Sequence, residues 1–456
     1  MRQVFPTLRA VALVLALTGG WSGSSLAATE PATDEEAIAA VQRAYERAVR
    51  PGEQADLHRE LFASVFQRVK RSYARSVEIP ALAAAATQVL QPLAAGEGEP
   101  ADVFKKAIRE SLRTLDPHSR YIDARAVPNE RGDSTGSFGG LGMEVQASEG
   151  AVKVVAPMPG SPAERAGVVA GDLIVRIDDQ PLAGIPLPEA IARMRGQPGS
   201  AVVLTIQRPG AASEITVPVT REIIRRQLVR WTMEGDALVL RLASFSGAAG
   251  TALDQAVAEA TAYHSPRSVV LDLRGNPGGL LREAVKVADA FLTQGEIVSL
   301  RSSTTPKGRA WQADAGELLA GLPMVVLVDS RSASASELVA DALQQHGRAI
   351  VMGQRSTGKG TVQTTFMLGD LKGALKLTTA IYQGPSGETV DSRGVEPDVE
   401  ILDGKPASVP GAKAHIVASR CTAGGLKEKD AAMACALGLL RAGNVSAFVA
   451  GMPVAQ

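Results

Sequence analysis

The sequence predicts a multidomain α/β protein, because three stretches of the chain differ in the spacing of their apolar residues and in the secondary structure it predicts. Residues 35–115 place apolar side chains at helical spacing, whereas residues 139–221 form short β-rich pieces separated by glycine turns. Beyond them, short apolar strands alternate with helical stretches, which is typical of an α/β core. A chain of 456 residues with 45% hydrophobic content is long enough for two or three such cores.

Residues 1–27 have the pattern of an export signal. Arg2 and Arg9 form a positive region, an apolar run follows at residues 10–17, and small residues precede a cleavage site after Ala27. The run is shorter than the roughly 20 apolar residues that span a bilayer, and no later stretch approaches that length. We therefore expect an exported, soluble mature chain.

The charges of the chain cancel, with 48 basic and 48 acidic residues. No run of like charge is long enough to form a basic stripe. Nucleic acid and anionic membrane surfaces are therefore disfavoured as partners.

Cys421 and Cys435 are the only cysteines, and both lie near the C terminus. In an exported chain an even count predicts a disulfide, which here would close a loop of about 15 residues and contribute about 3 kcal/mol. Two buried free thiols are the alternative. Neither cysteine has a histidine or a second cysteine at ligand spacing, so we expect no metal site.

Residues 28–130 form the predicted helical N-terminal region, which ends where Asp116-Pro117-His118-Ser119 breaks the helical spacing. Residues 131–222 then open on the turn Gly140-Leu141-Gly142-Met143. Amides of such a turn, beside an open strand edge, can bind the terminal carboxylate of a peptide that adds as an extra strand. A tight hairpin connection is the plainer interpretation of the turn alone.

Two further segments make the glycine turn more specific, namely Gly160-Ser161-Pro162-Ala163 and Ala170-Gly171-Asp172. With them, the unit resembles a PDZ domain. The resemblance implies that the domain recognises an extended peptide near its C terminus.

Ser334 lies between a strand predicted at Met324–Val328 and a helix. Ser334-Ala335-Ser336-Glu337 matches a capping box, and a plain helix cap is the structural interpretation. A serine at a strand-to-helix turn also projects outward, and the next amide, that of Ala335, points toward a developing oxyanion. The two interpretations are compatible.

Lys359 lies 25 positions after Ser334, between two glycines. A solvated lysine is the plain interpretation, and Gly353–Lys359 also matches most of a phosphate-binding loop. That pattern requires Ser or Thr and then a helix after the lysine, whereas Gly360 and a predicted strand follow, so nucleotide binding is disfavoured. A buried, neutral lysine can instead accept the proton of a serine hydroxyl.

From about residue 117 to residue 399, the chain resembles the carboxyl-terminal processing proteases. The resemblance rests on several motifs in order: Asp116-Pro117-His118-Ser119, the PDZ segments, Asp272–Gly279, the serine and lysine segments, and Gly394–Asp398. It implies a ClpP/crotonase-like catalytic core (residues 223–405) with an inserted PDZ domain. Residues 406–456 remain as a C-terminal tail that contains both cysteines and no motif of the family.

The same resemblance assigns roles to individual positions. Ser334 becomes the nucleophile, Lys359 the general base and Gln363 the residue that orients the lysine, with Ser332 and Ser336 in support. The oxyanion hole falls on the amide of Ala335 and on one amide of the Gly278–Gly279 turn, for which we take Gly279. To act as a base at neutral pH, the lysine needs its pKa lowered by about 3 units from about 10.4, at a cost of about 4 kcal/mol.

We therefore expect a serine endopeptidase that captures unfolded proteins or exposed protein C termini and needs no cofactor. The signal and the resemblance predict the periplasm, with secretion beyond it left open. We expect a homo-oligomer, and the sequence leaves open whether an adaptor protein is required. The alternatives are a catalytically silent PDZ scaffold, a crotonase-like acyl enzyme, and a Ser-His-Asp triad that uses His118.

Overall fold

The computed structural model describes residues 33–124, 127, 137–225, 227–303, 305–369, 373–402, 409–421 and 430–452. The predicted signal peptide lies outside these residues, as do the start of the predicted PDZ region and part of the C-terminal tail. Within the described part of the chain, no helix combines the length and the apolar character that a membrane crossing requires.

Four helices form the N-terminal region, as the spacing predicts: α1 Asp34–Ala48, α2 Glu53–Ser72, α3 Ile79–Leu90 and α4 Pro100–Arg113. The first helix begins at a capping box, in which the Glu36 amide donates to Thr33 Oγ1 and the Thr33 amide to Glu36 Oε2. Their shared core includes Leu375 and Leu377 from a strand far along the chain. The helical region is thereby packed onto the α/β part of the molecule.

A short strand, β1 Arg120–Ile122, leads out of the helices, and a β-rich unit with its own core follows it. Its elements are β2 Ser137–Gly140, β3 Met143–Ser148, β4 Ala151–Pro157, α5 Pro162–Arg165, β5 Leu173–Ile177, β6 Gln180–Pro181, α6 Leu187–Met194, β7 Ala201–Gln207, β8 Ile215–Thr220 and β9 Glu222–Arg225. The sheet runs β3-β4-β5-β7-β8, with β6 paired to β5. β3 is therefore an edge strand. The antiparallel pair β2 and β9 brings the entry and the exit of the unit together.

The remaining elements form an α/β core around a seven-stranded sheet. They are β10 Val229–Glu234, β11 Ala237–Leu242, α7 Ala249–Tyr263, β12 Ser268–Asp272, α8 Leu281–Asp289, β13 Glu296–Ser302, β14 Thr305–Gln312, β15 Met324–Val328, α9 Ala335–Gln345, β16 Ile350–Gly353, β17 Thr361–Met367, β18 Ala374–Gln383, β19 Val399–Leu402, β20 Ala414–Val417, α10 Ala431–Ala442 and α11 Val445–Ala450. The sheet order is β10-β11-β12-β15-β16-β19-β20, and all pairs except β10–β11 are parallel.

Central strands β12 and β15 are buried along their whole length, so their loops leave the sheet from a rigid base. A second sheet of order β1-β18-β13-β14, with β17 also paired to β18, lies beside the first. The carboxyl ends of neighbouring parallel strands meet at one edge of a sheet, which is where α/β proteins place ligands. The loop after β12 and the serine turn after β15 therefore lie together.

The C-terminal tail is part of this core. β20 adds the seventh strand, and α10 buries Cys435, Leu437 and Leu439 against the sheet face opposite α7, α8 and α9. The predicted disulfide between Cys421 and Cys435 is present.

Candidate active site

Ser334 occupies the turn between β15 and α9, and its backbone is strained. Its φ is +56°, in a region that residues with a Cβ adopt at a cost of about 1–3 kcal/mol. Such a conformation persists only when the surroundings fix it, and here Ala333, Ala335 and Ser336 on either side are buried. The side chain is held at the surface of the turn, partly exposed.

Glu337 links the serine turn to the lysine loop. Its side chain is fully buried, with 0% exposure. Oε2 accepts hydrogen bonds from the amides of Ser334 at 2.6 Å and Lys359 at 2.9 Å, while Oε1 accepts from Ser356 Oγ at 2.5 Å and the Gly358 amide at 2.6 Å. Four donors compensate for the burial of the charge. The helix-cap interpretation of Glu337 holds only for its bond to the Ser334 amide, since the other three bonds go to the lysine loop.

Tyr382, on β18, makes a second bridge between the same two residues. Its hydroxyl lies 3.0 Å from the carbonyl oxygen of Ser334 and 3.2 Å from that of Lys359. Burial raises the pKa of Tyr382 well above its usual value, so the phenol stays neutral and can donate. The backbones of Ser334 and Lys359 are therefore held side by side by one carboxylate and one phenol.

Lys359 is half-buried, and its surroundings favour the neutral amine. Burial lowers its pKa first, and the positive charges of Lys376 and Arg120 lower it further, against the opposing effect of Glu337 and Asp116. Its ammonium makes no ion pair within the described residues. This is the direction that a lysine acting as a base requires.

Gln363 lies on β17, beyond a register shift in the pairing with β18. Its side-chain nitrogen donates to Thr361 Oγ1 at 2.9 Å and lies 3.3 Å from Thr378 Oγ1. Both partners are hydroxyls of the β17–β18 hairpin. The predicted role of Gln363 in orienting Lys359 stays a prediction.

The glycine loop after β12 lies against the serine turn. A Cβ on Gly278, where φ is +93°, would come within 2.8 Å of the Ala335 nitrogen and 2.9 Å of Ser334 Cβ. The Gly278 amide donates to Asn276 Oδ1 at 2.9 Å, so it is already satisfied. The amides of Ala335 and Gly279, by contrast, have no acceptor in the part of the chain that the structure describes. Of the two glycines, Gly279 is therefore the one whose amide can donate to an oxyanion.

Ser332 and Ser336 hold these two segments together. The Ser332 hydroxyl donates to the carbonyl oxygen of Leu273 and the Ser336 hydroxyl to that of Asn276, each at 2.9 Å. Both serines are buried. Their contacts fit the supporting role that we expect of them.

His118 lies in the electrostatic neighbourhood of Lys359 rather than far from it. Burial lowers its pKa, and the positive charge of Lys359 lowers it further. The adjacent Asp116 carboxylate accepts from the amides of His118 and Ser119, and from the Ser119 hydroxyl, which is 2.8 Å away. The contacts of Asp116 therefore define a turn, and none of these hydrogen bonds involves the His118 ring.

The turn Gly140-Leu141-Gly142-Met143 stands at the start of edge strand β3. The carbonyl oxygens of Leu141 and Gly142 accept from the amides of Ala163 and Met158, each at 2.9 Å, and the Leu141 side chain is buried. Gly142 has φ +72°, and a Cβ there would lie 2.5 Å from Ser161 Cβ, so the turn needs glycine. The amides of Leu141 and Gly142 have no acceptor among the described residues.

Comparison with known proteins identifies the family. The model of peptidase family S41 matches residues 236–401, and that of the PDZ domain matches residues 153–208. The carboxy-terminal-processing protease of Bartonella bacilliformis is 39% identical over 353 residues, which are 77% of this chain and 76% of that protein. This chain belongs to peptidase family S41. It is thus a serine-type peptidase with a PDZ domain.

One further relative agrees with this membership. The carboxyl-terminal-processing protease of a Picosynechococcus strain is 36% identical over 67% of this S41 chain and 74% of its own length. The solved structure of a photosystem II D1 C-terminal processing protease has 29% identity and a TM-score of 0.48, and the match covers 78% of this chain and 94% of that one.

Glu337 and Tyr382 are the site residues that sequence reasoning missed in these roles. The only local signal for Glu337 is the capping pattern, which explains one of its four hydrogen bonds. Tyr382 lies 48 residues after Ser334, and nothing around it in the sequence links it to the serine. Among the described residues there is no group of histidines, cysteines or carboxylates arranged to hold a metal ion.

Proposed function

We propose that this protein is an exported serine endopeptidase that recognises protein C termini through its PDZ domain and cleaves peptide bonds with a Ser334–Lys359 dyad. The observation that carries the proposal is the double bridge at the site. Glu337 and Tyr382 each contact the backbones of both Ser334 and Lys359. A nucleophile and a base that must meet are thereby fixed to each other rather than to separate parts of the fold.

In the proposed mechanism, neutral Lys359 takes the proton of the Ser334 hydroxyl as Oγ attacks the peptide carbonyl carbon. The amides of Ala335 and Gly279 donate to the resulting oxyanion. The tetrahedral intermediate then collapses, and the Lys359 ammonium returns its proton to the leaving amine. A water molecule, deprotonated by Lys359, attacks the acyl-enzyme ester. The second product then leaves as the Lys359 ammonium returns the proton to Ser334 Oγ.

The PDZ domain supplies substrate recognition in this proposal. An extended peptide adds beside edge strand β3, and its carboxylate accepts hydrogen bonds from the amides of Leu141 and Gly142. Recognition by the main chain suits a protease whose substrates share an exposed C terminus rather than one sequence. We also propose that the protein is periplasmic and forms a homo-oligomer. The proposal holds for a protease that acts with or without an adaptor protein.

Digestion of casein by the mature chain tests this function, run beside Ser334→Ala and Lys359→Ala, with the fragments identified by mass. Cleavage by the wild type alone is the expected result. Cleavage that survives in both variants would refute the dyad. A folded but inert wild type that binds peptide C termini would support the alternative of a silent PDZ scaffold.

A further inference from the structure

The C-terminal tail makes a charged contact with the loop that carries the glycine amides. The Asp430 carboxylate accepts hydrogen bonds from both terminal nitrogens of Arg274, at 2.6 Å from Nη1 and 2.8 Å from Nη2. Arg274 also binds Asp272 through Nε and Nη2, each at 2.8 Å. The Arg274 side chain is only 16% exposed, and its partner Asp430 lies 156 positions later in the sequence.

Arg274 begins the loop that leads to the Gly279 amide of the candidate site. The next amide, that of Gly275, donates to Asp329 at 2.9 Å, and the Asn276 carbonyl accepts from the Ala333 amide at 3.0 Å. Asn276 Oδ1 then accepts from Gly278. Each residue from Arg274 to Gly278 except Pro277 is therefore hydrogen-bonded, and the amide that follows them is that of Gly279. A rotation of the loop at Arg274 would be carried along this chain of contacts.

Asp430 is itself held in place. It is the N-cap of α10 and accepts the Met433 amide at 3.0 Å. It also lies within the covalent loop closed by the Cys421–Cys435 disulfide. The tail lies beyond residue 401, where the match to the S41 model ends.

We propose that Asp430 is a positioning residue for catalysis: by fixing Arg274, it holds the loop Arg274–Gly279 in the geometry that aims the Gly279 amide at the oxyanion. The inference rests on the proposed function, because it assigns the Gly279 amide to the oxyanion hole. A contact of this kind acts on the transition state, in which the oxyanion develops, more than on substrate binding.

The test compares three variants of the full mature chain with the wild type, and Ser334→Ala serves as the inactive control. Asp430→Asn keeps a good N-cap but removes the charge that Arg274 binds. Asp430→Glu keeps the carboxylate. Asn444→Ala removes the cap of α11, the next helix of the same tail, at a residue without a contact to Arg274, and is the matched control for a loosened helix end.

Two assays are run on each variant. Steady-state hydrolysis of a peptide gives kcat and KM. The second assay is the rate at which a fluorophosphonate labels Ser334, a reaction in which the serine oxygen displaces fluoride from phosphorus. Labelling places an oxygen in the oxyanion hole without requiring a peptide in the PDZ groove. Thermal unfolding of each variant checks the fold.

Asp430→Asn is expected to lower kcat and the labelling rate roughly tenfold with KM unchanged, since small misplacements of catalytic groups are costly. Asp430→Glu should recover at least half of both rates, and Asn444→Ala should match the wild type. The inference fails if Asp430→Asn works at wild-type rates while Ser334→Ala is inert, or if Asn444→Ala is slowed as much as Asp430→Asn. Full activity of Ser334→Ala would instead overturn the proposed function.

Discussion

Replacing Glu337 with glutamine should show separately what its hydrogen bonds and its negative charge contribute to the site. Each of its oxygens accepts two hydrogen bonds, so the side-chain nitrogen of glutamine, itself a donor, would face two other donors at either position. The less costly orientation puts the nitrogen at Oε1, where the Ser356 hydroxyl can turn to accept but the Gly358 amide loses its acceptor. One lost charge-assisted bond and one unsatisfied amide lower the free energy of unfolding by about 3 kcal/mol.

Catalysis should respond to Glu337→Gln in two ways. Loss of the Gly358 bond loosens the lysine loop, so the high-pH plateau of kcat should fall roughly 10- to 100-fold. Loss of the negative charge removes an effect that raises the pKa of Lys359, so the acidic limb of the pH–rate profile should move to lower pH. The assay is peptide hydrolysis across the pH range, with thermal unfolding alongside.

The matched control for this variant is Glu400→Gln. Glu400 is also buried, at 3% exposure, but its Oε2 accepts from the Val409 amide and lies 2.9 Å from Nδ1 of His415, on β20. We expect a loss of stability there with an unchanged pH–rate profile. If Glu337→Gln keeps the wild-type plateau and the wild-type stability, the account of Glu337 as the link between serine and lysine is wrong.

Three further variants test neighbouring parts of the site. Lys376→Met removes a positive charge that lowers the pKa of Lys359, so the acidic limb of kcat/KM should move to higher pH, whereas Lys376→Arg should leave it in place. A limb that stays put in Lys376→Met would contradict the electrostatic account. Gln363→Glu should also raise the pKa of Lys359 and impair hydrolysis at neutral pH, and unchanged activity would remove Gln363 from the site. Gly278→Ala should abolish fluorophosphonate labelling, because its Cβ would lie 2.5 Å from the Ala333 carbonyl oxygen, whereas Gly210→Ala, with a similar φ but open space, should cost only stability. Labelling of Gly278→Ala at the wild-type rate would refute the close packing.

Local patterns in the sequence were enough to predict most elements of the fold. The strand at Met324–Val328 has the predicted bounds, and the helical spacing of residues 35–115 corresponds to four helices. The disulfide also followed from the even count of cysteines in a chain that the sequence predicts to be exported. These features depend on neighbours in the chain or on composition, which a sequence states directly.

Other features depend on contacts between distant segments. Nothing near Tyr382 indicates that its hydroxyl bridges Ser334 and Lys359, because the bridge exists only once β18 lies beside the serine turn. Asp430 reads as an ordinary helix cap until α10 packs next to Arg274. Likewise, β20 is too short to signal that it completes the main sheet. Such contacts follow from topology rather than from local spacing.

The most direct test of the dyad is the rate at which a fluorophosphonate labels the mature chain near pH 8, with the adduct located by peptide mass. Wild type, Lys359→Ala and His118→Ala are compared. The account predicts one adduct on Ser334 in the wild type and in His118→Ala, and labelling slowed to the background rate in Lys359→Ala. Wild-type labelling in Lys359→Ala, together with its loss in His118→Ala, would make His118 the base and contradict the Ser334–Lys359 dyad.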